Sequence, residues 1–136
     1  MPLLRSLLAL TFVVLWPCSA AALEQSVSAV QRDGNILTLT TDKGQVRVRF
    51  YGPEAVEVFY QPDGVEQLDS FAINADAGNQ ALKLAMVNTR SAVRFSSPEL
   101  RVQIEKSPLR IRFIKDGKTL LSEHDGLQIE QGSRGF

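Results

Sequence analysis

From Ile36 onward the chain alternates apolar and polar residues with a period of two. That rhythm is the spacing of strands with one buried face, because successive side chains on a strand point to opposite sides. The run Thr38 to Phe50, TLTTDKGQVRVRF, reads as an antiparallel hairpin closed by a glycine-containing loop. In it Val46, Val48 and Phe50 share one face, and Arg47 and Arg49 share the other. Ala55 to Gln61 follows, with Val56, Val58 and Tyr60 on one side and Glu57 and Phe59 on the other.

Further along, Leu100, Val102 and Ile104 point inward, as do Leu109, Ile111 and Phe113. The Asp116-Gly117 pair that follows is a strong two-residue hairpin signal. Weaker strands are read at Phe71 to Ile73, Ser91 to Phe95, Thr119 to Glu123 and Leu127 to Glu130. The run Ala81 to Val87 favours helix by composition, but its length and its β neighbours assign it to a strand. The expected buried set is Val48, Phe50, Val56, Val58, Leu100, Val102, Ile104, Ile111 and Phe113. About nine short strands between turns predict an all-β, antiparallel sandwich or barrel, and they exclude a parallel sheet with helical crossovers.

The first residues read differently. Arg5 supplies a positive charge, Leu7 to Trp16 is an uncharged run, and Cys18-Ser19-Ala20-Ala21-Ala22 ends in small residues. This is the pattern of a signal peptide, and the run is far short of the roughly 20 apolar residues of a transmembrane helix. Residues 1–22 are therefore expected to be removed, leaving residues 23–136 as one β-sandwich domain in the periplasm or outside the cell. Acylation of Cys18 is the competing reading, disfavoured by bulky Trp16 and rigid Pro17 just before it.

Composition narrows the function classes. Fifteen basic and fifteen acidic residues give a net charge of zero, so no global field attracts nucleic acid. One cysteine and one histidine cannot build a zinc cage of the usual kind or an internal disulfide framework. His124 lies in the turn Ser122 to Gly126 with no nucleophile beside it. Asp33-Gly34-Asn35 resembles a fragment of a calcium loop but lacks the loop's distal glutamate, so it reads as a turn. No catalytic residue, cofactor-binding residue or metal ligand is assigned, and no cofactor is expected. The pairs Arg47/Arg49 and Arg110/Arg112 read as solvated sheet faces, the competing role being an anion- or sugar-facing patch. Glu57 and Glu105 are expected across from them. Tyr51, Phe59, Tyr60 and Phe71 are read as core aromatics, with stacking on a sugar as the competing role.

Two stretches carry a resemblance. The first is Val46 to Val58, VRVRFYGPEAVEV. The second is Leu100 to Phe113, LRVQIEKSPLRIRF, followed by Asp116 to Leu121, DGKTLL. Together they resemble the N-terminal, galactose-mutarotase-like β-sandwich of family 31 glycoside hydrolases, the α-glucosidase and α-xylosidase group. Pro108 and the Asp116-Gly117 hairpin are the most specific parts. The resemblance implies a carbohydrate-associated module of an exported enzyme. Its partners would be a (β/α)8 catalytic domain and, through it, an α-linked oligosaccharide, with no nucleic acid and no membrane after signal cleavage. In that family both catalytic aspartates lie in the barrel, whose motifs have no counterpart before Phe136. The chain is therefore expected to be a fragment or a shortened reading frame, catalytically silent alone. A free-standing secreted carbohydrate-binding or adhesion module is the alternative.

Overall fold

The structure is a computed structural model that describes residues 24–66 and 80–123. Among the described residues nine strands run β1 (Val27–Asp33), β2 (Ile36–Thr41), β3 (Gly44–Phe50), β4 (Val56–Pro62), β5 (Ala85–Asn88), β6 (Ala92–Ser96), β7 (Arg101–Lys106), β8 (Leu109–Lys115) and β9 (Lys118–Ser122). The first four form one antiparallel meander and the last five another, each in chain order. No helix occurs among the described residues. Turn chemistry sets the hairpins. Asp116 and Gly117 both have positive φ, 50° and 74°, and they close a two-residue loop with Lys115 opposite Lys118. That is the turn whose twist matches the flanking strands. Gly44 opens β3 at φ 147°, where an added Cβ would stand 2.2 Å from the Gln61 carbonyl oxygen.

The two sheets pack as a sandwich around inward residues from both. Leu37, Leu39, Val46, Val48 and Phe50 of the first sheet meet Val93, Phe95, Val102, Ile104, Leu109 and Ile111 of the second, with Leu100 just before β7. The Phe50 and Phe95 rings meet edge to face, with centroids 5.2 Å apart and planes at 80°, an arrangement that suits the ring quadrupoles. Polar ties join the layers around this core. The Leu109 amide donates to the Gln25 carbonyl at 2.7 Å. Arg32 donates to the Leu84 carbonyl at 3.2 Å, and Asn35 to the Gln80 carbonyl at 2.7 Å. At the β3–β4 loop Lys115 pairs with Glu54 at 2.6 Å, and Ser97 donates to the Pro53 carbonyl. The Glu54 carboxylate holds the Lys115 ammonium above its ordinary pKa.

Of the expected core, Val48, Phe50, Leu100, Val102, Ile104 and Ile111 are buried, while Val56 and Phe113 are half-buried against it. Val58 departs from the expectation, being 38% exposed. Its partner in register is the fully buried Val48, so it does face inward as its spacing requires. However, among the described residues β4 is the end strand of its sheet, and the described strands of the facing sheet leave Val58 partly uncovered. A second departure is β1, which no alternation signalled. A bulge between Val27 and Ala29 shifts the register, so that Val27 and Val30 both pack on the core although they are three residues apart. An extra residue of this kind breaks the period-two signature locally. Within Ala81 to Val87 the strand starts only at Ala85, although Leu82 and Leu84 still pack on the core. The strands read at Phe71 to Ile73 and Leu127 to Glu130, and the signal peptide of residues 1–22, lie outside the described residues.

Candidate functional site

The outer face of the first sheet gathers the first arginine pair with the aromatics. In register, Arg47 lies opposite Phe59 and Arg49 opposite Glu57. The Arg47 guanidinium sits 5.1 Å from the Phe59 ring centroid, and that of Arg49 4.8 Å from the Tyr51 centroid. Tyr51 donates to a Glu57 carboxylate oxygen at 2.8 Å. Burial first, and then the Glu57 carboxylate, pushes the Tyr51 phenol above its ordinary pKa. These contacts place a cation over each of the two rings, so Phe59 and Tyr51 already have one face engaged. Both belong to this outer face and not to the core that their residue type led us to expect.

Tyr60 does turn inward. Its hydroxyl donates to Gln25 Oε1 at 2.8 Å, and Thr41 donates to the same oxygen at 3.3 Å. Gln25 is 1% exposed, a buried polar group that the alternation pattern does not reveal. Burial raises the Tyr60 phenol as well. His124 and Phe71 lie outside the described residues.

The second sheet carries the other pair. Glu105 lies opposite Arg110 in register, yet it forms its ion pair with Arg112, one step along the strand. Glu57 and Glu105 thus stand across from the arginines as the spacing predicted. Tyr51 donates to the Glu57 carboxylate, and Arg112 to that of Glu105.

Acid–base chemistry finds no assembled site among the described residues. A depression of about 250 Å³ is lined by Glu99, Asp116, Arg101 and Ser97 with their neighbours, but both carboxyl-bearing residues are exposed. General acids with tuned pKa values need burial or close charged partners. No cluster of three metal-ligating side chains occurs among the described residues.

Apolar surface is more telling. Among the described residues β4 and β9 are the end strands of their sheets. Val58 lies on β4, and Leu121 lies on β9 in register with half-buried Phe113 and so faces inward. Leu121 is nonetheless 63% exposed, and its neighbour Leu120 is 61% exposed.

Two stacked antiparallel meanders around a shared core make a β-sandwich. The model for the glycosyl hydrolase 31 N-terminal galactose mutarotase-like domain matches residues 45–135, and the chain belongs to that family. Among solved structures, it is similar to a Flavobacterium johnsoniae GH31 dextranase complexed with isomaltotriose, at 18% identity and a TM-score of 0.66, over 76% of this chain and 13% of that one. It is similar also to the cycloalternan-forming enzyme from Listeria monocytogenes in complex with a pentasaccharide substrate, at 24% identity and a TM-score of 0.59, over 74% of this chain and 9% of that one. The chain therefore spans about a tenth of the length of these enzymes. No curated protein matches it.

Proposed function

We propose that the chain is the N-terminal β-sandwich module of an exported α-glucosidase-like glycoside hydrolase, catalytically silent alone, with residues 23–136 as the mature domain. Its partner is a (β/α)8 catalytic domain, and its link to α-linked oligosaccharides runs through that domain. The observation that carries the reading is the family match over residues 45–135. The exposed inward-facing side chains of β4 and β9 support it. Val58 and Leu121 sit on core faces and are exposed, which leaves room on these faces, among the described residues, for another body to pack. The exposed carboxylates support catalytic silence. Cleavage in retaining enzymes needs two carboxyl groups about 5 Å apart around the sugar, and rigid placement matters at the level of about 1 Å. The guanidinium groups over Phe59 and Tyr51 count against a free-standing module that binds sugar by stacking on these rings.

The test is an assay of the purified chain on aryl α-glucosides and α-xylosides, run beside a sizing column. No turnover, together with self-association through the open flank, is the expected result. Turnover abolished by replacing one of the chain's own carboxylates would overturn the proposal. A monodisperse chain that binds a neutral glucan would favour the free-standing module instead.

A further inference from the structure

The outer face of the second sheet concentrates positive charge in a chain whose net charge is zero. Its four arginines come from three adjacent strands. Arg94 of β6, Gln103 of β7 and Arg112 of β8 form one row across the strands. Arg101 stands beside this row and Arg110 opposite Glu105. The only acid on these three rows is Glu105, and its carboxylate is engaged by Arg112. Arg94 and Arg101 are exposed and form no ion pair among the described residues. The Arg110 Nε is buried and has no hydrogen-bond partner among the described residues.

We infer that this face binds a carboxylate-bearing polysaccharide, such as a uronic acid polymer. Neighbouring strands stand about 4.8 Å apart, so the row presents guanidinium, amide and guanidinium in turn along a line of roughly 10 Å. A uronic acid chain offers the matching alternation of carboxylate and hydroxyl groups. All four cations are arginines, whose planar fork takes a carboxylate bidentately where a lysine acts as a point charge. The inward and outward alternation of β6 to β8 places no aromatic side chain on this face, so it lacks the platform on which single-stranded nucleic acid stacks its bases. No helix that could enter a duplex groove lies on this face among the described residues. This inference rests on charge placement and stands independently of the proposed parent enzyme.

The test is binding of the full chain to polygalacturonate in low salt, with neutral dextran and single-stranded DNA as comparison ligands. Polygalacturonate is expected to bind, to weaken as salt rises, and to outcompete DNA, while dextran does not bind. The combined variant Arg94→Gln, Arg101→Gln, Arg112→Gln is expected to lose roughly tenfold or more in affinity, because it removes charge-assisted hydrogen bonds. Arg47→Gln on the opposite sheet is expected to leave binding unchanged. Measurements on the unaltered chain keep the inference falsifiable should the triple variant misfold. Absence of polygalacturonate binding, or DNA binding as tight as polygalacturonate, overturns it. So does a folded triple variant with unchanged affinity.

Discussion

Replacing Phe95 by alanine tests the contact between the two sheets most directly. Phe95 is fully buried in the second sheet, and its ring meets Phe50 of the first at 5.2 Å. The Arg32 guanidinium also lies 5.5 Å from its centroid. Loss of a buried phenylalanine side chain costs about 3–5 kcal/mol through lost transfer energy and the cavity left behind. The edge-to-face contact accounts for about 0.5–1.5 kcal/mol beyond area burial, and the exposed arginine adds about 0.5–1 kcal/mol. Domains of this size are stable by about 5–15 kcal/mol, so the substitution removes a large share of the total. Urea unfolding of the full chain, followed by far-ultraviolet circular dichroism, should show a lower midpoint at an unchanged slope. A double-mutant cycle with Phe50→Leu and Phe95→Leu isolates the ring pair, with an expected coupling of about 0.5–1.5 kcal/mol. A cost below about 1 kcal/mol for Phe95→Ala, or an additive cycle, would show that the sheets do not meet through these rings.

Ile111→Asp places a carboxylate at a site 2% exposed and should cost at least about 3 kcal/mol, whereas Val58→Asp at the open edge should cost under about 1 kcal/mol. Equal costs in chemical denaturation would contradict the assigned faces. Gly44→Ala should cost more than about 1 kcal/mol, since its Cβ meets the backbone of Gln61 and Pro62 at 2.2 and 2.9 Å; an unchanged unfolding midpoint would argue against this β3–β4 geometry. The chain has two tyrosines, and burial raises both Tyr51 and Tyr60 above 10.0. Their neutral forms are favoured by folding, so the stability they add is present below pH 10 and lost as pH rises through the folded values. Ultraviolet titration of the native chain should therefore lie above that of the unfolded chain, and coincident curves would refute the shift.

Hairpins β2–β3 and β8–β9 were legible in the sequence, because Val46, Val48 and Phe50 alternate without interruption and Asp116-Gly117 accepts the positive φ its turn demands. Opposition of Glu57 and Glu105 to the arginine pairs was legible for the same reason, since partners on one face of a sheet share parity. The strand β1 was not, because a bulge puts Val27 and Val30 on one face at a spacing no strict alternation produces. Parity also says which way Val58 points but not what lies above it. Its exposure goes with β4 being the end strand of its sheet among the described residues, which is a matter of how the two sheets overlap. Phe59 and Tyr51 have the residue type of core aromatics, yet Phe59 stacks beneath Arg47, its cross-strand neighbour, and Tyr51 beneath Arg49, two residues earlier in the chain. The row Arg94, Gln103, Arg112 draws on three consecutive strands, and their register sets it. Local sequence determines the direction of each side chain because the strand period is two. Register between neighbouring strands determines which charges share a face, and the packing of one sheet on the other decides which inward apolar groups are covered.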